Sequence, residues 1–234
     1  MDQVVLFGDS ITQGAWVPGG TGAALAHVYQ RKLDVLNRGF SGYNILRQFI
    51  PRRDERLPEI ALFCVWFGAN DAALPPSPQA LTIAEFKSNL GKILDSLRSP
   101  DSPNYSPKTQ LLLITPPPVD ASVRTADLAA RDPPRGPDRD AERTRLFAEA
   151  VKDVARDCKL PILDAWSLVD AAASRDGGLG KYLRDGLHLT AAGYQVVTDG
   201  LFNLIASELP HLHWSRLDQV FPHWTDFIAP ELRS

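Results

Sequence analysis

Five short runs of β-forming apolar residues punctuate the chain, at residues 4–7, 33–36, 60–67, 110–114 and 162–163. Each is too short for a buried helix, and together they read as five parallel strands. Between them the apolar period lengthens. Ile83, Phe86, Leu90, Ile93, Leu94 and Leu97 recur at three- and four-residue spacings, which puts them on one helical face. Further helices are predicted over residues 140–157 and 191–209, the second opened by Thr190, whose hydroxyl can cap free backbone N–H groups.

Strands alternating with helices predict an α/β three-layer α/β/α sandwich around a five-stranded parallel sheet. Its expected strand order is the doubly wound, flavodoxin-like 2-1-3-4-5. Proline-rich stretches at residues 75–78, 100–107, 116–118 and 133–137 cannot continue strands or helices and must be loops. None divides the chain, and 234 residues suit one core, so a single domain over residues 1–234 is expected. Residues 120–140 are polar and charged, which predicts a solvated surface excursion rather than a mobile lid. Residues 211–234 form an aromatic-rich tail in which Trp214, Phe221, Trp224 and Phe227 need burial. The tail either packs on its own domain, or it covers the mouth of a crevice or docks on a second subunit to make a homodimer.

Composition narrows the partners. With 44% apolar and 23% charged residues and no apolar run approaching the ~20 residues of a membrane helix, no membrane span is expected. The net charge of -3, with Lys and Arg interspersed among Asp and Glu, offers no basic face to a phosphate backbone, which excludes nucleic acid as a partner. Met1-Asp2-Gln3 leads straight into apolar residues without a basic n-region, so a cytoplasmic location is expected. Cys64 and Cys158 are far apart and are read as neither catalytic nor disulfide-bonded.

Open parallel sheets bind ligands beyond the carboxyl ends of their strands, near the point where strand order reverses. Ser10 follows the first run, Gly42 the second and Asn70 the third, so the predicted order gathers them around one crevice. A serine hydroxyl is a poor nucleophile unless a base lies within hydrogen-bond reach and a third group orients that base. Asp185-Gly186-Leu187-His188 supplies both, the carboxylate accepting from Nδ1–H and leaving Nε2 for the Ser10 proton. The backbone N–H groups of Ser10 and Gly42 and the side-chain amide of Asn70 can meet a developing oxyanion, with Gly42 allowing close backbone approach. Asp9 and Asp71 adjoin this machinery but are expected to hold loops by accepting N–H bonds rather than to move protons. Ser41 fails the Gly-x-Ser-x-Gly pattern because Tyr43 holds its last position, and it is read as structural. His211, His213 and His223 have no partners at metal-ligand spacing, so no metal site is expected.

Phe7-Gly8-Asp9-Ser10-Ile11-Thr12, Gly42, Gly68-Ala69-Asn70-Asp71 and Asp185-x-x-His188 resemble, in order, the four blocks of the SGNH or GDSL hydrolase superfamily. The stretch from Asn37 to Asn44, Thr115-Pro116-Pro117-Pro118 and Asp185-Gly186-Leu187-His188-Leu189 are similar to its isoamyl acetate-hydrolysing esterase branch. The resemblance implies an SGNH hydrolase fold, with Ser10 as nucleophile, Asp185 and His188 completing the triad, and Gly42 and Asn70 in the oxyanion hole. It also implies no cofactor and a small-molecule ester substrate, short acyl chains of the acetate type being expected. A deacetylase of acetylated carbohydrate, or a lysophospholipase or thioesterase, would use the same triad. A binding protein that had lost the chemistry would lack Ser10, Asn70 or His188. Ile45-Leu46-Arg47-Gln48 and the segment after Pro118 depart from the branch pattern and are expected to shape the acyl and alcohol pockets.

Overall fold

The computed structural model describes residues 1–44 and 58–221. Strands β1 (Gln3–Gly8), β2 (Asp34–Gly39), β3 (Ile60–Trp66), β4 (Gln110–Ile114) and β5 (Ile162–Leu163) pair in parallel in the order β2-β1-β3-β4-β5. Around them lie helices α1 (Ser10–Gln13), α2 (Thr21–Val28), α3 (Ile83–Arg98), α4 (Ala121–Ala129), α5 (Ala141–Cys158), α6 (Ala165–Asp176) and α7 (Ala191–Glu208). The predicted sheet and its order are thus those observed. β2 runs three residues further than the apolar pattern, because Asn37, Arg38 and Gly39 continue the pairing with Leu6, Phe7 and Gly8.

Side chains alternate across each strand and build two cores. Val4 and Leu6 join Leu62, Cys64, Trp66, Leu112 and Ile114 on one face, closed by Leu25 of α2, Val169 of α6, and Val197 and Leu201 of α7. Val5 and Phe7 join Phe63, Val65, Leu111 and Leu113 on the other, closed by Phe86, Leu90, Ile93 and Leu97 of α3 and Phe147 and Val151 of α5. Burial on both faces is why the strands read as unbroken apolar runs. Phe7 lies between Phe63 and Phe67, with ring centroids 5.4 and 5.1 Å away. Truncating a ring so placed costs about 3–5 kcal/mol.

The helices start where their caps dictate. Thr82 and Glu85 form a reciprocal capping box at α3, Asp140 accepts from Arg143 N–H at α5, and Thr190 accepts from Gly193 N–H at α7. Residues 120–140 correct the sequence reading. Asp120 accepts from the N–H groups of Ser122 and Val123 and so caps α4, which buries Arg124 and Leu128. Residues 131–137 are exposed as expected, but Arg139 just beyond them is buried again. The charged pattern concealed a helix whose buried face carries a cation.

Of the tail, residues up to 221 are described. Trp214 packs on Phe202 and Tyr29, with centroids 4.6 and 6.1 Å away, and Tyr29 O–H donates to Leu212 O at 2.8 Å. The Trp214 part therefore lies on α2 and α7 of its own chain, whereas Phe221 is 61% exposed and the burial expected for it is not met among the described residues. Trp224, Phe227 and His223 lie outside the described residues, as do Ile45 to Gln48. No described helix is long and apolar enough to cross a membrane.

Candidate active site

The carboxyl ends of β1, β2 and β3 deliver the predicted groups to one edge of the sheet. β1 ends at Gly8, and Asp9 caps the four-residue α1 by accepting from Ile11 N–H at 2.9 Å. Ser10 is the first residue of α1, so its N–H belongs to the donors a helix leaves unpaired at its start. Tyr194 O–H donates to Ile11 O at 2.6 Å and fixes α1 against α7.

Ser10 O–H donates to His188 Nε2 across 3.0 Å, and His188 Nδ1–H donates to Asp185 Oδ2 across 2.7 Å. A carboxylate only accepts, so Nδ1 carries the ring proton and Nε2 is left as the acceptor facing the hydroxyl. Asp185 Oδ1 in turn accepts from the N–H groups of His188 and Leu187, at 2.8 and 3.2 Å. Partial burial works to raise the Asp185 carboxyl. Hydrogen bonds from the His188 ring and from the two backbone N–H groups, with the attraction of the imidazolium when the ring is protonated, outweigh it and hold the group well below the usual carboxylate range.

The loop that carries both residues is tight. Arg184 N–H donates to His188 O at 2.9 Å, and Leu183 bridges Leu189. Gly186 has φ +76°, and a Cβ there would lie 2.4 Å from Asp120 O and 2.5 Å from Arg124 N. Asp120 N–H donates to Gly186 O at 2.9 Å, so the loop seats directly on the start of α4. Only glycine meets both the conformation and the close approach.

The loop after β2 is tied to its neighbours on both sides. Phe40 N–H donates to Gly8 O at 2.9 Å and Ser41 N–H to Gln13 Oε1 at 2.8 Å, which fixes it to the β1 side. Gln79 Nε2 donates to Gly42 O at 2.7 Å, and Asn70 Nδ2 donates to Tyr43 O at 2.9 Å, which fixes it to the loop after β3. Gly42 is needed for its φ of +81° rather than for crowding, since a Cβ there would meet nothing nearer than Gln79 Nε2 at 3.8 Å. Ser10, Gly42 and Asn70 thus sit on three hydrogen-bonded loops that follow β1, β2 and β3 at one edge of the sheet.

Asp9 and Asp71, each next in the chain to a predicted site residue, are 1% and 0% exposed. Asp71 Oδ1 accepts from Asn44 Nδ2 at 3.1 Å, while its Oδ2 has no hydrogen-bond partner among the described residues. Burial pushes both carboxyls from 3.8 up to about 7, against the opposing N–H bonds and the nearby Arg139 charge. Mutual repulsion adds to the shift of Asp9. Between pH 3.8 and about 7 the native chain holds protons that the unfolded chain has released, so these acids make stability fall as pH rises, levelling above about 7. For one group alone that fall is on the order of 4 kcal/mol. Asp71→Asn is expected to flatten the decline. Urea unfolding between about pH 5 and pH 8 checks this, and an unchanged slope in the variant refutes it.

Three further residues reach the site that no sequence pattern singled out. Arg124 Nη1 lies 3.4 Å from Asp185 Oδ2. Arg139 donates through Nη2 to Asn70 Oδ1 at 3.2 Å and through Nε to Ala69 O at 2.8 Å. Asp138 accepts from Arg124 Nε and Nη2 at 3.0 and 2.9 Å. Because guanidinium has donors only, Arg139 also decides which way the Asn70 amide faces: Oδ1 toward Arg139 and Nδ2 toward Tyr43. The one legible trace was Asp120 standing as an N-cap before Ala121, with Arg124 and Leu128 four residues apart. Among the described residues, no group of three His, Cys, Asp or Glu side chains could hold a metal ion. Cys64 is buried among apolar side chains, and burial pushes its thiol up to about 12.

Three kinds of likeness bear on this geometry. Residues 6–196 match the GDSL-like Lipase/Acylhydrolase family. The chain is similar to the isoamyl acetate-hydrolyzing esterase 1 homolog of Bos taurus, 37% identical over 246 aligned residues that cover 98% of this chain and 90% of that one. A GDSL esterase/lipase of Arabidopsis thaliana is 34% identical, over 88% of this chain and 86% of its own. Among solved structures, the lipase/acylhydrolase from Enterococcus faecalis superposes with a TM-score of 0.63 at 25% identity, over 95% of this chain and all of that one.

Proposed function

This chain belongs to the GDSL-like lipase/acylhydrolase family, and from that premise we propose that it cleaves short-chain carboxylic esters through Ser10, His188 and Asp185. Family membership makes it a carboxylic ester hydrolase. What carries the finer reading is the unbroken line from Ser10 Oγ through His188 to Asp185, at 3.0 and 2.7 Å.

In the proposed reaction His188 Nε2 takes the Ser10 proton as Oγ attacks the ester carbonyl. Asp185, held ionised, steadies the imidazolium that forms. Negative charge on the former carbonyl oxygen is met by Ser10 N–H, Gly42 N–H and Asn70 Nδ2, each such donor being worth about 3–4 kcal/mol of transition-state stabilisation. His188 then gives its proton to the departing alcohol, leaving an acyl group on Ser10. Water, deprotonated by the same imidazole, attacks the acyl-enzyme; the acid leaves and Ser10 recovers its proton. A small acyl group is favoured because the cattle relative is named for hydrolysing isoamyl acetate and matches nearly the whole chain.

The test is a substrate panel joined to covalent labelling. It comprises p-nitrophenyl esters of rising chain length, an acetylated sugar, a lysophospholipid and an acyl-thioester. The highest kcat/KM is expected on the acetyl-to-butyryl p-nitrophenyl esters, and a fluorophosphonate is expected to mark the peptide containing Ser10. A label on another residue would overturn the nucleophile. Preference for the sugar, the lysophospholipid or the thioester would overturn the substrate class.

A further inference from the structure

Two buried arginines from one short stretch of chain grip opposite ends of the site. Arg124, on α4, points Nη1 at Asp185 Oδ2 from 3.4 Å, the same oxygen that receives His188 Nδ1–H. Arg139, just before α5, donates to Asn70 Oδ1 at 3.2 Å. Asp138 stands between them, taking two hydrogen bonds from Arg124 and lying 3.2 Å from Arg139 Nη1 through Oδ2. Asp185, Arg124, Asp138, Arg139 and Asn70 thus form one continuous polar chain from the carboxylate behind the base to the amide beside the oxyanion.

We propose that Arg124, Asp138 and Arg139 are positioning residues that set the two halves of the active site against each other, Arg124 acting through Asp185 and Arg139 through Asn70. The inference rests on the roles proposed above for Asp185 and Asn70.

Burial argues for a specific duty. Arg124 and Arg139 are 6% and 4% exposed, and stripping water from a guanidinium is costly enough that apolar side chains of similar volume commonly serve packing as well or better. What an apolar side chain lacks is a donor. Asp185 Oδ2 and Asn70 Oδ1 each present an acceptor within reach of a guanidinium, and a forked, permanently charged donor fixes the torsion of the group that bears it. The charges around the arginines are also apportioned. Arg124 faces Asp127, Asp138 and Asp185, while Arg139 faces Asp138, Asp9 and Asp71. Asp138 is the one carboxylate common to both, so it couples their positions. The anchoring extends one turn further, where Arg143 donates to the carbonyls of Ala72, Ala73 and Leu81 and pins the loop that bears Asn70.

The test is a pair of double-mutant cycles on p-nitrophenyl acetate hydrolysis. Arg124→Gln is expected to lower kcat about tenfold with KM nearly unchanged, and to have little further effect in an Asp185→Asn background. Arg139→Gln is expected to lose its effect in an Asn70→Ala background but to keep it beside Asp185→Asn. Equal losses in every background would overturn the proposal, since a merely structural role adds independently of the partner. An undiminished kcat in both single variants would overturn it as well. If the glutamine variants fail to fold, Arg124→Lys and Arg139→Lys keep the charge, lose the fork and carry the same cycles with the same reading. Full activity in Asp185→Asn alone would instead sink the triad on which the inference rests.

Discussion

Ser10→Ala is expected to lower kcat for p-nitrophenyl acetate by about a million-fold, the scale on which removal of a triad nucleophile acts. Stability should be untouched. Ser10 is the first residue of α1, where alanine is a good helix former, and the cap belongs to Asp9, whose bond to Ile11 N–H does not involve the hydroxyl. What the substitution removes is the hydrogen bond from the hydroxyl to His188 Nε2. Thermal unfolding measured beside kcat separates chemistry from folding. A variant that turns over ester at a rate comparable to the native chain would remove Ser10 from the mechanism.

Asp185→Asn comes next, with an expected loss of about ten-thousand-fold in kcat. Asparagine retains one carbonyl oxygen, which can still accept from the N–H groups of His188 and Leu187 in place of Oδ1. The position of Oδ2 then becomes an NH₂ group facing His188 Nδ1. A donor there selects the tautomer with its proton on Nε2, and the imidazole can no longer accept the Ser10 proton. The same NH₂ faces Arg124 Nη1, turning an attraction into a clash of donors. The loss should therefore appear in kcat and in the rate of fluorophosphonate labelling, with KM little changed. A native labelling rate in this variant would refute the role given to Asp185.

Much of this arrangement is legible in the chain because strand ends and turn residues mark themselves. β1, β3 and β4 are covered on both faces, so their apolar runs are unbroken, and the residues that follow them fall at the crevice by topology alone. β2 outlasts its apolar run because it is an edge strand whose last residues, Asn37, Arg38 and Gly39, pair through backbone without adding large apolar side chains. α6 leaves little trace, since its buried positions include the small Ala165, Ala172 and Ala173 rather than a stripe of large apolar groups. The Arg124, Asp138 and Arg139 cluster is invisible for a different reason. Charged residues in a charged stretch read as solvated, and only the approach of Gly186, Asp185 and Asn70, distant in sequence, excludes water from them.

The margins of the sheet carry a lesson about assembly. An open sheet exposes unpaired backbone groups along its outer strands, and these invite another chain to add a strand. Here one margin is β5, two residues long, which offers almost no template. The other is β2, where Asn37 turns its side chain back to accept from Gly39 N–H at 2.8 Å and donates to Gln13 O at 3.0 Å, consuming a donor that a newcomer would need. Asp34 and Arg38 add charge along the same border. Among the described residues both margins thus discourage sheet extension, which leaves helical and loop surfaces as the less obstructed way for a second copy to join.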